Sequence, residues 1–299
     1  MKRLKGIPAL FQRAVFRALR HDCFYLAQST AYSAIISLFP ALIVAAAVIS
    51  LLPYNTPLRF QLSVIFDRIL PPDVSPLLQS YFVTSPHSSR SSHALIAAFV
   101  VSVSGASSVI VCLMEGVRRA NGLPRNCWNF VQRRMRSLLL VPLSLVPFAL
   151  ASLLVVFGHF ITEWLSREIM PSARTSLFLV ALLIRWAVAL AGSTGIVAMI
   201  YHMGTPMRQP WKRVVPGAVL ATLMWFIATL VFGWYVTRFA NYSQVYGPLG
   251  AAVALLFWLY IISFSVFCGA EFNAEYAAHF FPKTAPDSTV STPTDPATR

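Results

Sequence analysis

The sequence predicts an all-α, polytopic membrane protein: a bundle of about six transmembrane helices with amphipathic surface helices. Three observations predict it. The chain of 299 residues is 57% hydrophobic and only 11% charged, against roughly 25% charged in a soluble domain. Apolar runs of about 20 residues recur along it, each long enough to cross roughly 30 Å of hydrocarbon as a helix. An open sheet or irregular backbone is excluded there, because lipid offers its N–H and C=O groups no partner.

The first element is residues 3–20. Leu4, Ile7, Phe11, Ala14, Val15 and Ala18 fall on one helical face, while Arg13, Arg17 and Arg20 share the other. This pattern predicts a basic amphipathic helix within residues 1–26, lying on the membrane surface with its arginines toward anionic headgroups. The apolar run 27–52 is too long for the h-region of a secretory signal, roughly 7–15 residues, so it is read as an uncleaved first span. Residues 53–92 form a long external segment with two short amphipathic helices. Asn55-Thr56-Pro57 announces the first, with Leu58, Leu62, Ile65, Phe66 and Ile69 on one stripe. Ser75-Pro76 starts the second, with Leu77, Leu78, Tyr81 and Phe82. Neither is long enough to span, and they either lie on the outer surface or cover the bundle.

The second to sixth spans are read at 93–114, 138–161, 176–201, 214–236 and 249–270, completing a transmembrane domain over 27–275. After Phe281 the composition turns to Pro, Thr, Ser and Asp. The tail, 276–299, is therefore expected to be cytoplasmic and mostly disordered.

A net charge of +14 invites a nucleic-acid reading. The placement of the charges gives a simpler account. Seventeen Lys and Arg residues fall on one side of the predicted bundle and six on the other. The bias puts both termini in the cytoplasm and makes a nucleic-acid partner unnecessary. The cysteines agree. Cys23, Cys112, Cys127 and Cys268 all fall in or near cytoplasmic segments, so all four are expected to be reduced.

Arg185 is the most informative single residue, about 13 Å into the fourth span at 1.5 Å per residue. A central arginine costs about 2.5–3.5 kcal/mol on the insertion scale, so it is expected to face the bundle interior. It either serves an anionic substrate group, or bonds backbone carbonyls or snorkels outward as a structural residue. Gln28, Tyr32 and Ser37 in the first span, with Arg185, make a candidate substrate path. The run Ser102-Val103-Ser104-Gly105-Ala106-Ser107-Ser108 belongs either to close helix packing or to that path. Glu115, Asn121, Glu271 and Asn273 make a candidate cytoplasmic mouth. Glu115 also has Arg118 and Arg119 at helical spacing, and Glu271, Asn273 and Glu275 equally fit a solvated helix end. Pro40, Pro142, Pro147 and Pro216 are positions where helices kink or break. The histidines are scattered, and no Walker loop, GxGxxG, GxSxG or HExxH motif is present. No enzyme, metal or cofactor is expected.

Three blocks then carry a resemblance. They are Ala31-Tyr32 with Ser37-Leu38-Phe39-Pro40; Pro216-Gly217-Ala218 through Trp225, with Trp234-Tyr235 and Tyr242; and Tyr246-Gly247-Pro248-Leu249-Gly250, with Leu256-Phe257-Trp258-Leu259-Tyr260 and Gly269-Ala270-Glu271-Phe272-Asn273-Ala274-Glu275. Over residues 20–280 the chain resembles the YihY/BrkB membrane proteins, where these stretches read AYYTLLSLFP, PGA…W…YV…YS, and YGSLG, LLWLY and GAELNAE. Pro248 stands where the family usually has serine, and Asn121 matches its asparagine after the second span. Pro40, Gly217, Tyr246, Gly247 and Gly250 are motif positions expected to be structural. The resemblance implies a six-helix, multi-pass protein of the bacterial inner membrane. It implies less about activity: some members were once labelled a tRNA-processing ribonuclease and others are associated with virulence or serum resistance. The leading expectation is a transport-related protein handling lipids or another amphipathic anion. The alternative is a non-transporting envelope scaffold or assembly factor with protein partners; ribonuclease activity is not expected.

Overall fold

Most of the apolar runs become helices that overrun the spans predicted from them. The computed structural model describes residues 7–50, 89–146, 171–206, 209–239 and 248–281, apart from the side chains of some helical positions, Arg185 among them. The helices are α1 (Ile7–Arg20), α2 (Cys23–Ser50), α3 (Ser89–Ala120), α4 (130–146), α5 (Pro171–Met203), α6 (Trp211–Phe239) and α7 (Pro248–Phe280). Five of them, α2, α3, α5, α6 and α7, are long and apolar enough to cross a membrane. The described part of α4 covers the start of the expected 138–161 span, and the rest of that span lies outside the described residues, as do most of the external segment, Tyr246, Gly247 and the tail beyond residue 281.

Local chemistry sets the breaks. Asp22 adopts φ 57° between α1 and α2, a left-handed conformation that Asp tolerates better than most residues. α3 ends on Gly122, at φ 63°. The Gly122 N–H donates to Arg119 O at 2.9 Å and the Leu123 N–H to Arg118 O at 3.1 Å, the paired bonds of a Schellman cap. Pro248 is the first residue of α7, where its missing N–H costs no helical bond.

α7 is the central post. Residues 265–273 are buried in succession, as expected of a helix covered on every side. Phe24 of α2 stacks on Phe264 with ring centroids 4.7 Å apart. The Phe267 ring lies where a Cβ on Gly116 of α3 would fall, at 2.2 Å. The Tyr201 hydroxyl of α5 donates to Val266 O. α6 lies so close that a Cβ on Gly217 would sit 2.2 Å from Gly269 O. Small residues at such a crossing let two backbones touch, the usual basis of helix association in lipid. α2 and α3 cross in the same way, a Cβ on Gly105 falling 2.4 Å from that of Ser37.

The core gathers at the end of the bundle that carries α1. It is built from Ala18, Cys23, Met114, Val117, Tyr201, Val214, Ala218 and Phe267, among others. Toward the far end the helices present exposed apolar side chains instead, such as Phe99, Leu183 and Leu230, the surface expected of a lipid-facing bundle. α3 and α7, with 32 and 33 residues, measure about 50 Å and outrun roughly 30 Å of hydrocarbon. Their surplus turns build the layer into which α1 fits. Leu10 and Ala14 of α1 pack against Phe272 of α7 and Ala18 joins the main core, while Phe16 and Leu19 stay exposed.

Candidate functional site

Two features could carry function: a polar cluster at the α1 end, and an apolar groove between α6 and α7 toward the far end.

The cluster centres on Glu271, whose side chain is fully buried. Burial of an ionised carboxylate is tolerated only when it is paired and hydrogen-bonded, and the α1 segment supplies both partners. Arg17 Nε donates to Glu271 Oε2 at 3.1 Å, and its Nη1 to Glu275 Oε1 at 2.7 Å. Its Nη2 reaches Ala120 O at 3.0 Å. His21 Nδ1 lies 2.6 Å from Glu271 Oε1. A second group adjoins it on α3. Glu115 accepts from Arg118 Nη2 at 2.7 Å and from Arg119 Nε at 3.1 Å, and Arg119 also reaches His21 O at 3.3 Å.

Asn273 lies one turn beyond Gly269 on α7 and faces the start of α6. Pro216 lacks an N–H, which weakens the helix ladder there. Asn273 grips the backbone on either side of the proline: its Oδ1 accepts from Gly217 N at 2.6 Å, and its Nδ2 donates to Val214 O at 2.8 Å. Asn121 bonds Val117 O at 2.7 Å and accepts from Gln209 Nε2 at 2.6 Å, tying the end of α3 to the approach to α6.

The groove has a volume of about 1110 Å³. Met224, Ile227, Val231 and Trp234 line it from α6, and Gly250, Val253, Ala254 and Phe257 from α7. Arg238, exposed, stands one turn beyond Trp234 on α6.

The expected site residues fall as follows. The residues assigned to a mouth do come together at one end, but Glu271 and Asn273 are buried there in a closed network. Those assigned to a path do not converge on one lining. Gln28 and Tyr32 lie on the exposed side of α2, while Ser37 is buried, donates to Ala34 O at 2.9 Å and meets Gly105. Residue 185 is helical and sits between exposed Ile184 and Trp186; the Arg185 side chain lies outside the description. Pro40 is inside α2, and Gly250 lines the groove. All four cysteines are free thiols. Sequence reasoning misses Arg17 and His21 as partners of Glu271, and the groove. The available signal is a charge mismatch: an acidic pair ends the last span, and an arginine stands one turn from a histidine at the end of α1.

Comparison with known proteins agrees with this architecture. The chain is 28% identical over 245 residues to the ribonuclease-like protein YfkH of Bacillus subtilis, covering 82% of this chain and 86% of that one. It is 26% identical over 295 residues to a UPF0761 membrane protein of Rhodospirillum centenum, covering 97% of this chain but 63% of that longer relative. A UPF0761 membrane protein of Vibrio vulnificus is 22% identical over 272 residues, 88% of this chain and 81% of its own length. No solved structure matches. The family model described as Virulence factor BrkB matches residues 14–291, and the chain belongs to that family of membrane proteins.

Proposed function

We propose that this is a transport-related protein, handling a lipid or another amphipathic anion in a bacterial inner membrane, with the α1 end toward the cytoplasm. The observation that carries the reading is the α6–α7 groove. Its volume of about 1110 Å³ is just above the usual range for ligand pockets, roughly 300–1,000 Å³. Its apolar walls suit an acyl chain, and Arg238 beyond Trp234 suits an anionic head. The excess of Lys and Arg on the α1 side supports the orientation. No catalytic step and no nucleic-acid partner belong to this reading.

The closed α1 end favours the alternative of a non-transporting scaffold, because Glu271 has no exposure there. Reconstitution separates the two. Purified protein in vesicles carrying a fluorescent anionic phospholipid is expected to move the lipid between leaflets well above the rate of protein-free vesicles. Equal rates would overturn the transport reading and leave the scaffold.

A further inference from the structure

The carboxylates and the basic residues of the α1 end are unevenly matched. Asp22, Glu115, Glu271 and Glu275 are the acidic residues of the described segments, and their ion pairs go to Arg17, His21, Arg118 and Arg119. The segment after α3 has no acidic residue from 116 to 162, yet it carries Arg125, Arg133 and Arg134. Arg136 lies over the Trp128 ring, 3.6 Å from its centroid.

Arg134 is held differently. Its Nη2 donates to Ser104 Oγ at 2.8 Å and to Ser104 O at 3.1 Å, and its Nη1 to Ser108 Oγ at 3.2 Å. Ser107 and Ser137, buried and 2.6 Å apart, lock the two helices in register beside it. A guanidinium has five N–H donors. The serines engage only part of that set, and among the described residues its partners are neutral acceptors. Arg133, half-buried, is the next residue. On the same helix Val131, Met135 and Leu139 form an exposed apolar stripe at four-residue spacing, and Val100 and Val101 are exposed on α3 one turn before Ser104.

We propose that the α3–α4 seam binds the headgroup phosphate of an anionic phospholipid, with Arg134 as its pinned anchor and Arg133 as the second cation. The adjoining apolar stripes take the acyl chains, which selects a lipid over a free phosphate. Basic positions between membrane helices recognise anionic headgroups in this way, and an arginine already fixed by hydroxyls has less side-chain freedom to lose on binding. The site is independent of the α6–α7 groove and stands whether or not lipid is transported.

The test is native mass spectrometry of the full-length protein in mild detergent, titrated with phosphatidylglycerol, phosphatidylcholine or inorganic phosphate. Wild type is expected to retain phosphatidylglycerol in preference to phosphatidylcholine. Arg134→Gln should weaken that retention about tenfold, the scale of one lost charge-assisted contact. Arg20→Gln, which removes the same charge from an exposed position on α1, should leave it within about twofold. The double variant Ser104→Ala/Ser108→Ala keeps the charge but frees the arginine, and should weaken retention about threefold; it carries the test if Arg134→Gln does not fold. Equal losses for Arg134→Gln and Arg20→Gln would show diffuse attraction and overturn the site. So would unchanged retention in the serine variant, or saturation by inorganic phosphate alone.

Discussion

α6 and α7 meet in two ways along their length. At the α1 end they touch backbone to backbone: a Cβ on Gly269 would fall 2.4 Å from Gly217 O and 2.7 Å from the Ala221 Cβ. Toward the far end the same pair leaves a groove of about 1110 Å³ walled by Val231, Trp234, Val253 and Phe257. Small residues and a bridging asparagine occupy one half; the other is lined by bulky apolar residues interspersed with Ala228, Gly250 and Ala254. The pair is therefore held backbone to backbone at one end, while at the other it meets through side chains, Trp258 Nε1 donating to Thr229 Oγ1 at 3.2 Å and the Phe232 and Phe257 rings lying 5.9 Å apart, beside an open groove.

Breaking the pinned half should have the largest effect. Gly269→Val would force side-chain carbon into Gly217 O and the Tyr201 hydroxyl, and should cost about 3 kcal/mol or more, since overpacking a tight contact typically costs about 1–3. Thermal unfolding in detergent is the measurement; an unchanged midpoint would mean that the crossing is not tight. Glu271→Ala comes next. It leaves Arg17 and His21 without their buried acceptor, and a loss of about 2 kcal/mol is expected from bonds to a charged group. Because this pairing docks α1, the variant should also become more sensitive to protease within residues 7–20; stability and cleavage equal to wild type would show that the cluster does not hold α1. The smallest effect on stability belongs to the open half. Ala254→Trp fills space that is already there, so unfolding should shift by less than about 1 kcal/mol. A collapse on that substitution would show the groove to be packed.

The two halves also differ in how far the sequence reveals them. Apolar run length alone makes α2, α3, α5, α6 and α7 legible, because lipid imposes a single solution on the backbone. Glu115 with Arg118 and Arg119 is legible too, since that pairing is set by spacing within one helix. The Arg17–Glu271 pair joins residues 254 apart, and no local period signals it. The amphipathic pattern of α1 reveals a face to be buried but not its neighbour, because an apolar face looks the same whether it meets lipid or Phe272. Asn273 stands out in the sequence only as a polar group near a helix end. Its role beside Pro216 depends on a helix crossing that one-dimensional spacing does not specify. The groove is invisible for the same reason, being a distance between helices rather than a property of either.

An amphipathic anion is expected to occupy the α6–α7 groove, and photocrosslinking tests this directly. Protein in vesicles is labelled with an anionic phospholipid carrying a photoreactive group in its acyl chain, and the modified residues are mapped by mass spectrometry. Label concentrated on Val231, Val253 and Phe257, and lost from them in Ala254→Trp, is the predicted result. Label spread evenly over lipid-facing positions such as Phe99, Leu183 and Leu230, and unchanged by Ala254→Trp, would contradict it.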